Sequence, residues 1–272
     1  MAEWRPRRYL LAGVATLLLT ATAAPGSSAP ITVEADPMPV RPLPFATDWD
    51  YQIGGARSVR PHVGVVVRDR LATTAGRYDV CYVNAFQTQP DEVRFWNHPD
   101  RRRLLLRRAG RPVVDAGWGE TLLDTRTAKK REKLASIVGA WLSGCAGSGA
   151  EAVEFDNLDS WTRSRRLLSR ADNLAYARLL VSSAHAHGLA AAQKNTPQLG
   201  SRGKGIGFDF AVAESCARWH ECGDYVHVYG RSVLAVEYRR SDFARACKRW
   251  GDRLPIILRD RAVSPTGPRR HC

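Results

Sequence analysis

The stretch Glu151-Ala152-Val153-Glu154-Phe155-Asp156-Asn157-Leu158-Asp159-Ser160-Trp161 limits the possible folds of this chain more than any other. It follows Ser143-Gly144-Cys145-Ala146-Gly147-Ser148-Gly149, a small-residue run that reads as a loop. Ala152, Val153 and Phe155 are apolar enough for a buried strand. The strand ends in the polar residues Asp156, Asn157 and Asp159. A helix start is predicted near Ala171-Asp172, with Asp172 as cap ahead of Leu174, Ala175, Ala177, Leu179 and Leu180. An apolar strand that releases carboxylates at its C-terminal end, just before a helix, is how an α/β barrel presents reactive groups. The plainer reading of the same residues is an N-cap Asp beside a loop Asp.

The rest of the chain repeats this pattern. Strand-like runs are read at Thr47–Gly55, His62–Val67, Tyr78–Asn84, Leu189–Asn195, Phe208–Glu214, Val233–Tyr238 and Leu254–Leu258. With the opening stretch this makes eight, most of them separated by helix-sized segments. No GxGxxG or phosphate-loop signature occurs. Count and alternation favour a single (β/α)8 TIM barrel over a doubly wound sheet. Lys129–Leu142 has helical spacing, and a helix from Asp172 to His187 is expected to stop at Gly188. Between the third and fourth strands lies a long excursion, Pro90 to about Arg126. It carries a basic stretch read as an outer helix, with Leu104 to Leu106 as its buried side, and a turn at Gly117-Trp118-Gly119.

The N-terminus bears on the compartment. Arg5, Arg7 and Arg8 precede the apolar run Tyr9–Ala24, which is of signal-peptide length and short for a membrane span. Cleavage is expected after Ala24 or near Ala29. Residues 1–29 are read as signal peptide, 30–44 as a Pro-rich extended linker and 45–272 as the barrel. A secreted, extracellular protein with no lasting membrane association is therefore expected, acting as a monomer. Six cysteines, an even number, fit disulfide bonding in an exported chain. The short loop between Cys216 and Cys222 makes them the best pair; Cys81, Cys145, Cys247 and Cys272 stay unassigned. The net charge of +14 is concentrated in Arg101, Arg102, Arg103, Arg107, Arg108 and Arg111. No recognised nucleic-acid motif accompanies it, so a solvated face is expected rather than a nucleic-acid partner. No cofactor and no metal-ligand set is expected.

The strand ends carry Asp156, Lys194-Asn195, Glu214 and Glu237-Tyr238. In a parallel barrel these ends converge on one face. Facing carboxylates with aromatics and amides around them suit glycoside hydrolysis, in which one carboxylic acid protonates the leaving oxygen and a second carboxylate attacks the sugar or activates water.

The ordered set of motifs resembles glycoside hydrolase family 114, the endo-α-1,4-polygalactosaminidase-like barrels. It comprises Trp49-Asp50-Tyr51-Gln52-Ile53, Val80-Cys81-Tyr82, Leu123-Asp124-Thr125-Arg126, Glu154-Phe155-Asp156-Asn157-Leu158-Asp159, Lys194-Asn195, Glu214-Ser215-Cys216 through Glu221-Cys222, and Val236-Glu237-Tyr238. The resemblance covers about Asp48 to Arg259. It implies a secreted enzyme that cleaves α-1,4-linked galactosamine-containing polysaccharide internally, with Asp156 and Glu214 as its catalytic acids. It also implies a disulfide between Cys216 and Cys222. Substrate contacts are expected from Trp49, Tyr51, Gln52, Tyr82, Asn157, Asp159, Lys194, Asn195, Glu237 and Tyr238. The sequence departs from the family at Tyr51 and Ala213 and keeps only Asp69 of the second strand's Asp-x-Asp, which bears on the substrate more than on the chemistry. The competing readings are a non-catalytic carbohydrate-binding barrel and a hydrolase of another polysaccharide. A cationic galactosamine polymer gains nothing from a basic protein overall, so its binding would need a local acidic cleft, expected from Asp156, Asp159, Glu214 and Glu237.

Overall fold

The computed structural model describes residues 39–272; the expected signal segment and the first part of the linker lie outside the described residues. The chain forms eight parallel strands that curl into a barrel. They are β1 (Asp48–Gln52), β2 (Val63–Asp69), β3 (Tyr78–Asn84), then, after a two-strand hairpin β4 (Arg107–Arg108) and β5 (Arg111–Pro112), β6 (Ala152–Asp156), β7 (Ala190–Lys194), β8 (Phe210–Glu214), β9 (Val233–Glu237) and β10 (Ile256–Leu258). All eight coincide with the strands expected from the sequence. β10 packs back beside β1, and a short last strand, β11 (Arg270–His271), adds antiparallel to β10. The His271 Nε2–H donates to the Trp49 carbonyl at 2.9 Å, so the chain end bridges the seam.

Alternation within each strand sorts side chains between two cores. Inward residues fill the barrel: Trp49, Tyr78 and Phe210 lie in the same cluster as the small Ala152, Ala190 and Ala192. Large beside small is how a parallel barrel fills its interior without voids. Outward residues such as Val153, Phe155 and Ala211 meet the helices. Those helices are α1 (Val93–Trp96), α2 (Ala128–Gly147), α3 (Arg170–Ala186), α4 (Arg202–Ile206), α5 (Cys216–Trp219), α6 (Cys222–Tyr229) and α7 (Arg240–Trp250). Leu134, Val138 and Leu142 of α2 recur at helical spacing and are fully buried, each contributing about 1.5–3 kcal/mol. α3 starts one turn earlier than expected. Ser169 is its cap, and Asp172 at the third position returns the bond as a capping box.

Three expectations are corrected. The basic stretch after Arg101 is not a helix. A single 3-10 turn leads into the β4–β5 hairpin, whose two-residue turn places Ala109 and Gly110 at φ 47° and 78°. Leu106, Val113, Leu122 and Leu168 then form a small core of their own above the barrel. Second, among the described residues the β1–β2 and β2–β3 connections contain no helix. The outer face of β1 is covered instead by the chain end. Buried Asp50 there receives Arg57 at 3.0 Å and Arg269 at 2.9 Å, with Arg259 at 3.6 Å. Third, the last part of the linker is not free: Leu43 is buried in the barrel cluster and Arg41 pairs with Glu151 at 2.8 Å.

Three disulfides tie these layers: Cys81–Cys145 joins β3 to α2, Cys216–Cys222 closes the loop after β8, and Cys247–Cys272 joins α7 to the chain end. The last closes a separation of 25 residues. Cys272→Ser should therefore cost about 3 kcal/mol, measured as a lower Tm. Non-reducing peptide mapping should return all three pairs; an unchanged Tm in the variant would show that the chain end is held without the bond.

Candidate active site

The inward-facing last residues of β6, β7 and β8 meet at the C-terminal face. Glu154 and Asp156 lie two apart on β6, so both point inward. Lys194, the last residue of β7, places its ammonium among them, 2.7 Å from Glu154 Oε1, 3.2 Å from Asp156 Oδ2 and 3.6 Å from Glu214 Oε2. Tyr51 donates to Glu154 at 2.8 Å and Tyr82 to Asp156 at 2.8 Å, and Tyr238 donates to Glu214. The backbone then turns sharply at all three strand ends. Asn157, Asn195, Thr196 and Ser215 have φ of 64°, 48°, 63° and 56°. Left-handed backbone at non-glycine residues is costly and clusters at functional sites. Here it has two visible uses. The Asn157 N–H donates to Asp156 Oδ1 at 2.7 Å. The Glu214 N–H donates to Asn195 Oδ1, which fixes the amide so that its Nδ2 donates to Glu214 Oε2, both at 2.8 Å.

The electrostatics follow from this geometry. Burial alone would raise Asp156, but Lys194, the Tyr82 hydroxyl and the Asn157 amide outweigh it and hold the carboxyl below its usual range. Burial would likewise deprotonate Lys194; Asp156, Glu154 and Glu214 keep it charged. Glu154, fully enclosed, is pushed up to about 7 by burial, with Lys194 and Tyr51 pulling the other way. Burial and nearby carboxylates push the Tyr51, Tyr82 and Tyr238 phenols well up, so all three remain donors.

Above this network opens a cleft of about 710 Å³. One wall comes from the excursion: Asp115, Trp118 and Glu120. Another comes from Asn157, Asp159 and Arg163 after β6, and Arg261 and Val263 close the third. An adjoining cavity of about 360 Å³ runs past Asn195 and Glu214 to Trp219 and Tyr225. Trp118 and Trp219 are more than half exposed, which is unusual for tryptophan and fits stacking on sugar rings. Asp115 and Asp159 share Arg163 at 2.8 and 2.9 Å. Six carboxylates line the two cavities against Lys194 beneath them, Arg163 and Arg261, so the cleft is acidic although the chain carries +14.

The structure brings together Asp156, Glu214, Tyr82, Asn157, Asp159, Asn195 and Tyr238 as cleft-lining residues. Tyr51 and Lys194 sit directly beneath, too buried to touch a ligand. Three expected substrate contacts lie elsewhere. Trp49 is inside the barrel core, its indole N–H on the Pro255 carbonyl at 3.2 Å. Gln52 faces outward, donating to Asp50 and accepting from Arg68, both at 2.9 Å. Glu237 also faces outward and is fully buried under α5, accepting the Ala217 N–H at 2.7 Å; burial pushes it to about 7. It orients the loop closed by Cys216–Cys222 and does not reach sugar. The acidic cleft expected from Glu237 is supplied by Asp115 and Glu120, which sequence reasoning missed. Glu154 was missed too, although its place two residues before Asp156 on one strand face marks it.

An α/β barrel with an acid pair at the C-terminal strand ends is the layout of a glycoside hydrolase. Residues 30–272 match the model of glycoside-hydrolase family GH114, and the chain belongs to that family. It is similar in fold to Ega3 of Aspergillus fumigatus, solved in complex with galactosamine (TM-score 0.67, 20% identity, covering 83% of this chain and 95% of that one). It is also similar to the glycoside hydrolase domain of PelA from Pseudomonas aeruginosa (TM-score 0.55, 14% identity, covering 83% and 98%). No curated protein sequence matches the chain.

Removing the shared cation should strand three carboxylates. Lys194→Met should destabilise the protein by on the order of 3–5 kcal/mol near neutral pH, read by thermal or denaturant unfolding. The pH dependence carries a sign. A depressed Asp156 contributes stability above its unfolded pKa of about 3.9 and loses it as pH falls through the lower folded value. In Lys194→Met that contribution should vanish, so the deficit against wild type should shrink on acidification. A deficit that stays constant with pH would mean the lysine acts through packing.

Proposed function

We propose that the chain is a secreted, endo-acting hydrolase of α-1,4-linked galactosamine-containing polysaccharide, with Asp156 and Glu214 as its working carboxylates. The observation that carries this reading is the pair itself. The two side chains are the last inward residues of β6 and β8, straddle one lysine on the strand between them and open to two adjoining cavities of about 710 and 360 Å³. Asp156, held ionised by Lys194 and Tyr82, attacks the anomeric carbon. Glu214, the more exposed of the two, gives its proton to the leaving glycosidic oxygen as the C–O bond breaks. In the second half Glu214 takes a proton from water, whose oxygen displaces Asp156 from the sugar. The shared lysine limits the distance between its two oxygen partners to about 7 Å, which spans the retaining separation of about 5–5.5 Å and only the lower edge of the inverting range of about 6.5–9.5 Å.

Family membership and the galactosamine in the Ega3 complex support the substrate class, and the acidic cleft supports a cationic sugar. Three disulfides support export. No helix among the described residues is long and apolar enough to cross a membrane. One barrel supplies both acids, in keeping with a monomer acting alone.

Asp156→Asn and Glu214→Gln should each lower kcat on polygalactosamine by about a thousandfold or more, about 4 kcal/mol, with the fold kept, as read by circular dichroism. Product masses should span several oligomer lengths, as endo cleavage requires. Near-wild-type turnover in either variant would remove that residue from the mechanism; wild-type cleavage of other polymers only would replace the substrate.

A further inference from the structure

The turn Gly117-Trp118-Gly119-Glu120 lines the cleft beside the acid pair but has no part in the mechanism above. It is a built feature. The Gly117 N–H donates to Asp115 Oδ1, the Gly119 N–H to the Asp115 carbonyl, and the Asp115 N–H to the Glu120 carbonyl, each at 2.8 Å. Gly119 sits at φ 74°, where a side chain would be strained. The closed turn holds two side chains toward the cleft. One is Trp118, 55% exposed, with the Arg261 guanidinium 5.6 Å from its ring centre. The other is the half-buried Glu120.

Glu120 differs from the other carboxylates that line the larger of the two cavities, Asp115, Asp156, Asp159 and Glu214. Glu154, Asp156 and Glu214 share Lys194, while Asp115 and Asp159 share Arg163. Among the described residues Glu120 has no cation; its one side-chain partner is the neutral Asn84 Nδ2 at 2.9 Å. Asn84 is the register partner of Asp156 across β3 and β6, and its Oδ1 accepts from Asn157 at 2.9 Å. The uncompensated carboxylate is thus anchored next to the strand end that carries Asp156. Burial raises Glu120 to about 7, and the facing charges of Asp156 and Asp115 add to this, while Arg163 opposes it. A half-buried carboxylate facing two like charges is an open position for a cation.

We propose that this turn is an amino-sugar subsite, in which the Trp118 indole stacks on the sugar ring and the Glu120 carboxylate takes the sugar's ammonium group. Any proton on Glu120 leaves to solvent as the ammonium arrives. The inference deepens the substrate reading above and rests on it. It assigns charge recognition to Glu120 and shape recognition to Trp118, so the two contributions separate on substrates that differ only in N-acetylation.

The test is calorimetry in the Glu214→Gln background, where the ligand stays intact, with free-amine galactosamine oligomers and the same oligomers N-acetylated. Adding Glu120→Gln should weaken the free-amine ligand about tenfold, equal to about 1.4 kcal/mol, and leave the acetylated ligand within about twofold. Adding Trp118→Ala should weaken both alike. Equal losses on both ligands for Glu120→Gln, or none, overturn the subsite. Free-amine oligomers that fail to bind the parent protein overturn the subsite and the substrate class together. Oligomers that bind as expected but are not cleaved by wild type overturn only the hydrolytic reading.

Discussion

The buried ammonium of Lys194 is the interaction on which the rest of the site depends. Three carboxylates within 3.6 Å of one enclosed cation would repel one another without it, and burial would neutralise them. With it, Asp156 stays ionised, whereas burial still pushes Glu154 up against the lysine's pull, so two acids on one strand face shift in opposite directions. The lysine can do this because β7 lies between β6 and β8 in the sheet and the last inward side chains of the three strands meet. The charge arrangement therefore rests on strand register, which is among the stiffest features of the fold.

That dependence explains which parts of the site were legible in the sequence. The eight apolar runs and their polar ends could be read directly, and Asp156 and Glu214 follow from them. What fails is the assumption that any polar residue at a strand end faces the cleft. Glu237 and Tyr238 are consecutive, and only one of them can point inward. Leu234 and Val236 face the barrel, so Tyr238 continues inward and Glu237 goes out under α5. The same parity sends Gln52 outward beside the inward Tyr51. Trp49 has the right parity but lies too deep. The excursion resisted reading for another reason: its fold rests on backbone bonds between distant segments, such as Leu106 to Leu122 and Val113 to Leu106, which no local period announces.

The arginine excess also finds an explanation that composition could not provide. Part of it stands in for two missing helices. The outer face of β1 ends in buried Asp50, and Arg57, Arg259 and Arg269 close over it from the first connection and the chain end. Their guanidinium groups also cap loop carbonyls, as Arg57 does for Pro265 and Arg259 for Pro268. A planar five-donor group suits this task better than an apolar side chain, because irregular backbone leaves carbonyls that need donors. The basic character is thus largely used on the flank and the periphery. The cleft keeps its own acidic balance, shielded by distance and by the protein between.

Chemistry and recognition are consequently built from different material. The proposed reacting acids stand on β6 and β8, on either side of β7, and their geometry is fixed by the strand ladder, a shared lysine and a left-handed turn at each strand end. The groups that would choose a substrate stand on an excursion with a small core of its own, joined to the barrel through contacts such as Asn84 to Glu120. Changes in that excursion can alter which sugar is bound without disturbing Lys194 or the acids it holds. Changes in the barrel interior cannot be confined in this way, because Tyr51, Tyr82 and Lys194 belong at once to the packed core and to the charge network.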